Sequence, residues 1–192
     1  VIACIGVLKD YSKAITMKVK KESSTLFLTG ERKDELGGSV YYDVNNELGA
    51  VVPIIDFEKE RNRMYAVIDA INAGLLLACH DVSDGGLAVT LSEMLLGGDA
   101  DGDIGAEINF DFTNLRSDKA LFSETPGFVF EVEDKNAERV KSLFKFYKVD
   151  LTELGKTRGN NLVIKKKSKK VIDLPITKIR EAWTTGFVEA LE

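Results

Sequence analysis

An apolar run, a polar turn and an amphipathic segment follow one another without a gap in the middle of the chain. Residues 75–79 (Leu-Leu-Leu-Ala-Cys) are typical of a buried strand, and the polar turn that follows them begins at His80, the only histidine. Apolar residues then recur at helical spacing, namely Leu87, Leu91, Met94 and Leu95. A strand that runs directly into a helix predicts a fold in which α and β elements are mixed.

The polar turn, called the elbow here, comprises residues 80–86 (His-Asp-Val-Ser-Asp-Gly-Gly). Its candidate ligand-binding residues are Asp81, Ser83, Asp84, Gly85 and Gly86. A strand, a polar turn and a helix N-terminus together form the local architecture that binds phosphate groups. In the alternative interpretation, Ser83 or Asp84 caps the helix and the glycines only turn the chain. His80 either hydrogen-bonds across the elbow or fills the core at the strand end, and we favour a structural role.

A second loop, residues 29–39, has similar chemistry at its end, where Gly37, Gly38 and Ser39 follow one another. Paired glycines free the backbone to turn N–H groups toward an anion, and the serine adds a hydroxyl donor. The alternative is a Gly-Gly turn after which Ser39 caps a short helix. Residues 37–39 are called the glycine loop here.

Composition excludes several classes of protein. A length of 192 residues suffices for one domain with a substantial core, and the net charge of −5 argues against binding nucleic acid through its backbone. The basic run 165–170 is interpreted as a charged hairpin tip. No apolar stretch is long enough to cross a bilayer. Cys4 and Cys79 lie in apolar runs and do not indicate a disulfide framework, which suits a reducing cytoplasm.

The pattern along the chain predicts one domain, residues 1–192, and the absence of an initial methionine suggests a piece of a longer protein. Strands are expected at 1–8, 15–19, 25–28, 104–110 and 128–132, with a hairpin of 162–164 and 171–174. Helices are expected at 57–73, from the elbow to Gly97-Gly98, at 137–146, and from Pro175 onward with Ile179, Trp183 and Phe187 on one face. No His or Cys cluster has zinc spacing. The acidic turn 99–103 is interpreted as solvated, because Ile104 stands where a calcium loop needs glycine.

The elbow, followed by Glu93-Met94, resembles the signature of the phosphoribosylformylglycinamidine synthase family. Other segments are similar to motifs of that family: Glu35–Ser39, Leu121–Glu124, Gly155–Thr157 and the helix of Trp183. The family carries two copies of this type of domain, and the Ser-Asp-Gly-Gly version resembles the second copy. The resemblance therefore implies a C-terminal domain.

The resemblance also implies a fold and a reaction. The fold is α+β, an α/β/α sandwich with a mixed sheet of the aminoimidazole ribonucleotide synthetase C-terminal type. The family converts formylglycinamide ribonucleotide, ATP and glutamine-derived ammonia into formylglycinamidine ribonucleotide for purine biosynthesis. ATP and Mg²⁺ are implied as cofactors bound mainly upstream of Val1. A separate glutaminase subunit and a small accessory subunit are the implied partners, and the implied compartment is the cytoplasm.

The family's substrate assigns expected roles to the candidate residues. Its ribose 5′-phosphate suits Gly37, Gly38 and Ser39, whereas its hydroxyls and glycinamide end suit acceptors at Asp81 and Asp84. An anionic group suits donors that the resemblance places at Ser83, Gly85 and Gly86. No catalytic residue is assigned to this chain.

Two features keep alternatives open. The family's basic residue after Phe-Ser-Glu is absent from residues 125–128, so Arg158 is a possible substitute, and Ser123 and Glu124 are left out of the site as a turn. The alternative functions are another ATP-dependent enzyme of the superfamily, of thiamine monophosphate kinase or hydrogenase maturation type, and a non-catalytic subunit-interaction domain.

Overall fold

A single seven-stranded sheet organises the computed structural model, which describes residues 3–97 and 103–189. The strands are β1 (Thr25–Thr29), β2 (Ala78–Asp81), β3 (Ala106–Asn109), β4 (Phe128–Val132), β5 (Thr152–Thr157), β6 (Asn161–Lys166) and β7 (Lys169–Pro175). Their order across the sheet is β2-β4-β1-β5-β3-β6-β7. Only the β3–β6 pair is parallel among these pairings, so the sheet is mixed, as expected.

Six α-helices accompany the sheet in the described residues. They are α1 (Val40–Val44), α2 (Phe57–Asn72), α3 (Gly86–Leu96), α4 (Ser117–Phe122), α5 (Ala137–Phe146) and α6 (Ile176–Glu189). Helix α2 begins where the Asp56 carboxylate accepts hydrogen bonds from the N–H groups of Glu58 and Lys59, both at 3.1 Å. It ends just before Gly74, whose φ of +65° suits glycine.

Hydrophobic cores lie on both faces of the sheet. Side chains of a strand alternate between faces, so in β1 Leu26 and Leu28 enter one core and Phe27 enters the other. Helices α3, α4 and α6 cover the first core, and α2 and α5 cover the second. Two helical layers around a mixed sheet confirm the predicted α+β sandwich.

Two predicted strands near the N-terminus were wrong in the described residues. Residues 3–8 form no strand, and Ile5 and Val7 are exposed; Val1 and Ile2 lie outside the described residues. Residues 15–19 also form none, because their backbone makes single hydrogen bonds rather than a ladder. The Thr16 carbonyl accepts a hydrogen bond from the N–H of Cys79 in β2 at 3.3 Å, and the Val19 N–H donates to the Met94 carbonyl at 3.0 Å. Apolar content alone does not supply a pairing partner.

Smaller differences concern boundaries. Strand β2 begins at Ala78 rather than at residue 75 and extends to Asp81. Pro175 ends β7, so α6 begins at Ile176. Strand β5 and helix α4 were not predicted, because both are short and lack a clear apolar period. The acidic turn 99–102, Gly98 and the Phe187 side chain lie outside what the structure describes, whereas Asp103 contacts Arg180 at 2.8 Å.

Candidate functional site

The elbow turns the chain sharply between β2 and α3. The N–H of Val82 donates to the Gly127 carbonyl at 2.8 Å, which keeps the elbow beside β4. Gly85 and Gly86 then have φ values of +75° and +66°, a region that side chains disfavour. At Gly86 a Cβ would also lie 2.6 Å from the Ser123 carbonyl oxygen. The second glycine is therefore required by the fold itself.

The polar side chains of the elbow point to solvent. Asp81, Ser83 and Asp84 are all exposed. The residue that caps α3 is Gly85, which provides no side-chain hydrogen bond, so capping by Ser83 or Asp84 does not occur. Within residues 3–97 and 103–186, the side chains of Ser83 and Asp84 make no hydrogen bond to protein. The Ser83 hydroxyl and the Asp84 carboxylate thus lie unbonded beside the N-terminus of α3, and the exposed Asp81 carboxylate contacts His80.

His80 connects the elbow to helix α3. Its Nδ1 lies 3.1 Å from Asp81 Oδ1, and its Nε2 lies 3.0 Å from Glu93 Oε2. The ring is largely buried, whereas the Asp81 side chain is 59% exposed. Both contacts are hydrogen bonds at once only when both ring nitrogens carry protons. His80 therefore bonds across the elbow and has a positioning role.

The glycine loop differs, because its donors are engaged within the protein. The N–H groups of Gly37, Gly38 and Ser39 donate to carbonyl oxygens at 2.7, 2.9 and 3.1 Å. These carbonyls belong to Val51, Leu48 and Leu36, respectively. Ser39 is buried; its hydroxyl donates to the Leu36 carbonyl at 2.7 Å and accepts from the N–H of Tyr42 at 3.3 Å. The structure thus shows the capping interpretation: Ser39 caps α1.

Gly38 is the open point of this loop. Its φ is +69°, and a Cβ placed there would meet no atom within 4 Å. In contrast, a Cβ at Gly37 would lie 2.7 Å from the Val51 carbonyl oxygen. Gly37 is therefore packed against its neighbours, whereas Gly38 leaves room for a ligand to approach the backbone.

Glu124 brings the elbow and the glycine loop together. Its Oε1 accepts hydrogen bonds from the N–H groups of Val40 and Gly85, both at 2.9 Å. Nearby, the rings of Tyr41 and Phe122 stack with centroids 4.6 Å apart. The elbow therefore lies beside the end of the glycine loop, and one carboxylate links the two segments. Glu124 was expected to be a turn residue outside the site, although its position in the Phe-Ser-Glu motif was the available signal.

Arg32 is the basic residue that binds the segment 123–126. Its buried guanidinium donates to the carbonyls of Ser123, Thr125 and Pro126 at 3.3, 2.6 and 3.2 Å. Burial, together with the nearby charge of Arg63, lowers the pKa of Arg32 to about 10. The Arg158 side chain lies instead 3.7 Å from Glu107. The suggested substitution by Arg158 therefore has no support, and nothing in the sequence marked Arg32.

Among residues 3–97 and 103–186, no three His, Cys, Asp or Glu side chains come together in a way suited to a metal ion. No helix in the same part of the chain is both long enough and apolar enough to cross a membrane.

Comparison with known proteins places this fold and its two loops in one protein family. Residues 21–166 match the family described as AIR synthase related protein, C-terminal domain. The chain belongs to this family.

Individual relatives share one name. The chain is 41% identical over 192 residues to phosphoribosylformylglycinamidine synthase subunit PurL of Methanothrix thermoacetophila. The aligned region covers 100% of this chain and 25% of the relative. The same subunit of Methanocaldococcus jannaschii is 35% identical over 195 residues, and the aligned region covers 97% of this chain and 25% of that relative. The chain thus spans about a quarter of these relatives.

Solved structures show the same fold at low identity. T. maritima PurL complexed with FGAR superposes with a TM-score of 0.75 at 13% identity, covering 88% of this chain and 29% of that chain. The E. coli hydrogenase maturation protein HypE gives a TM-score of 0.59 at 15% identity, covering 84% and 52%. Both likenesses concern the fold alone.

Proposed function

We propose that this chain is the C-terminal domain of a longer phosphoribosylformylglycinamidine synthase and that it holds the ribonucleotide substrate. The relatives at 41% and 35% identity carry that name, and the chain spans about a quarter of them. The observation that supports the site assignment is the pair of neighbouring loops linked through Glu124, with exposed side chains at Asp81, Ser83 and Asp84.

In the proposed complex, the elbow provides most of the polar contacts. The carboxylates of Asp81 and Asp84 accept hydrogen bonds from the ribose hydroxyls or the glycinamide N–H groups, and the Ser83 hydroxyl donates to an anionic group. The glycine loop lies beside the 5′-phosphate, which approaches at the open side of Gly38. Gly37 and Ser39 support this loop, and Gly85 and Gly86 set the position of α3.

The glycine loop has no unbonded N–H group at residues 37–39 to offer to the phosphate. The N–H groups of residues 37–39 are already bonded to carbonyls, so direct N–H contact with a phosphate requires the loop to rearrange. Without rearrangement, the phosphate contacts the loop surface only at Gly38.

The proposed overall reaction transfers the amide oxygen of the substrate to phosphate. Formylglycinamide ribonucleotide, ammonia and ATP yield formylglycinamidine ribonucleotide, ADP and phosphate. The C–O bond breaks after phosphorylation of its oxygen, and a C–N bond to ammonia replaces it. This chain's residues orient the ribonucleotide, and they take no part in bond making. ATP and Mg²⁺ are proposed to bind mainly to upstream residues.

The proposed partners are a glutaminase subunit that supplies ammonia and a small accessory subunit, and the proposed compartment is the cytoplasm. One solved relative, titled as PurLQS from Thermotoga maritima, superposes with a TM-score of 0.69 at 15% identity. That likeness supports the fold, and the partners follow from the proposed activity.

An activity assay on two forms of the protein tests the proposal. The full-length protein, supplied with ATP, Mg²⁺, ammonium and formylglycinamide ribonucleotide, is expected to form ADP and the amidine in equal amounts. Residues 1–192 alone are expected to show neither product, because reactants must be held in line by groups on both sides of the site. A full-length protein that instead phosphorylates thiamine monophosphate, or shows no turnover, would contradict the proposal.

A further inference from the structure

Within residues 3–97 and 103–186, Glu124 is the one side chain that links the elbow to the residue directly after the glycine loop. A single oxygen, Oε1, accepts two N–H groups that lie far apart in the sequence, from Val40 and from Gly85. Val40 is the first residue of α1, directly after Ser39, and Gly85 is the cap of α3, directly after Asp84. The carboxylate thus meets two helix N-termini, where negative charge is favoured.

The neighbours of Glu124 hold it firmly in place. Arg32 binds the carbonyls on both sides of it, at Ser123 and Thr125, so the backbone of this segment is fixed. The Thr125 hydroxyl also donates to Glu35 Oε2 at 3.0 Å, which ties the segment to the strand-to-loop connection before Gly37. Glu124 therefore projects from a segment that is held on both sides, and its carboxylate lies between the two loops.

We propose that Glu124 is a positioning residue that sets the distance between the glycine loop and the elbow, so that both contact one ribonucleotide. The inference rests on the proposed function of the two loops. A ligand that spans two separate loops binds tightly only when their spacing is already correct, because a loop that must be ordered on binding weakens the affinity. In this account Glu124 acts through the two N–H groups that its Oε1 accepts, rather than through a contact with the ligand.

This role predicts a distinctive kinetic effect. The 5′-phosphate and the ribose hydroxyls of the substrate do not react, so the contacts that the two loops make with them are the same in the ground state and the transition state. Loss of correct spacing then raises KM for the ribonucleotide and leaves kcat nearly unchanged. Glu124→Gln keeps a carbonyl oxygen that accepts both N–H groups, whereas Glu124→Ala removes it.

The experiment compares wild-type full-length protein with Glu124→Gln, Glu124→Ala and the control Glu138→Ala. Glu138 is an exposed carboxylate on α5, in the opposite helical layer. The measurements are KM and kcat for formylglycinamide ribonucleotide, thermal melting, and amide hydrogen exchange of the ligand-free protein at the segments of Val40 and Gly85.

For Glu124→Ala we expect a rise in KM of about tenfold or more, a kcat within about twofold of wild type, and faster exchange at both segments. Glu124→Gln keeps the acceptor oxygen, so its KM is expected to stay within about threefold of the wild-type value. A small rise is expected because a neutral acceptor forms weaker hydrogen bonds than a charged one. Glu138→Ala should match wild type in every measurement.

Three results for Glu124→Ala would overturn the inference: an unchanged KM, a lower KM, or unchanged exchange at the two segments. A lower KM would mean that Glu124 occupies the place of a ligand anion. If Glu124→Ala speeds exchange at both segments but the wild-type protein does not use the ribonucleotide, the link between the loops is supported and the proposed function fails. The two failures are therefore distinguishable.

Discussion

The elbow and the glycine loop have similar composition, with paired glycines and a serine, but they use these residues in opposite ways. In the elbow, the glycines adopt the positive φ values that the turn requires, and the polar side chains remain exposed. In the glycine loop, the backbone donors and the Ser39 hydroxyl are bonded internally, and the open space lies at Gly38. The same residue types thus provide side chains for a ligand in one loop and a closed, capped turn in the other.

The largest expected effect tests whether the fold requires Gly86. Alanine there must adopt a positive φ and place its Cβ against backbone atoms of residues 121–123, so we expect a loss of about 3 kcal/mol in the free energy of unfolding. Gly74→Ala is the matched control, because Gly74 has a φ of +65° and open space around its Cβ. The control should cost only about 1 kcal/mol, the price of the backbone conformation alone. Chemical denaturation measures both, and equal losses would show that the contact at Gly86 is unimportant.

The next effect concerns ligand binding by the elbow. Asp81→Asn keeps the size of the side chain and removes its charge, so we expect the full-length variant to lose about 1.5–3 kcal/mol of transition-state stabilisation, with little change in melting temperature. The measurement is kcat/KM for the ribonucleotide.

Glu93→Gln is the control for this substitution. It alters the other carboxylate that contacts His80 and leaves Asp81 in place. A loss in Glu93→Gln as large as in Asp81→Asn would mean that the His80 contacts, rather than a ligand contact, explain the effect.

A smaller effect separates the two serines. Ser39→Ala removes the cap of α1 and should lower the free energy of unfolding by about 1 kcal/mol. Ser83→Ala removes an exposed hydroxyl with no protein partner among residues 3–97 and 103–186 and should leave stability within about 0.5 kcal/mol of wild type. Urea unfolding of both variants checks the difference. The reverse order of stabilities would contradict our assignment of the cap.

The smallest effect is a difference in thiol reactivity. Cys79, in β2 just before the elbow, is largely buried, and burial raises the pKa of its thiol to about 12, with a smaller contribution from the Asp81 charge. Because the thiolate is the reactive form, alkylation at pH 8 should modify exposed Cys4 first. Mass spectrometry of the modified peptides follows both sites, and equal rates would indicate that β2 opens readily.

Much of the fold was predictable where the sequence has a strong period. The spacing in 57–73 and 137–146 led to α2 and α5 within a residue or two, because each presents an apolar face to one core. Residues 3–8 are as apolar as a strand, but whether they pair depends on a neighbour that the local sequence does not encode. Strand β5 was missed because Gly155 and Lys156 hide its alternation.

The candidate site was predictable in its residues and less so in its bonding. The polar elbow was evident, because Asp81, Ser83 and Asp84 stand together between a strand and a helix. Glu124 contacts Val40 and Gly85, which are separated from it by 84 and 39 positions in the sequence. No local pattern reveals such contacts. The engagement of the glycine-loop N–H groups by Leu48 and Val51 has the same long-range origin.

A crystal structure of the full-length protein with formylglycinamide ribonucleotide tests the central claim most directly. The account predicts the ribose or glycinamide groups within about 3.2 Å of the carboxylates of Asp81 and Asp84, with the phosphate beside Gly38. It also predicts that Glu124 keeps its bonds to Val40 and Gly85. A ribonucleotide bound elsewhere, with the elbow carboxylates facing only water, would contradict it.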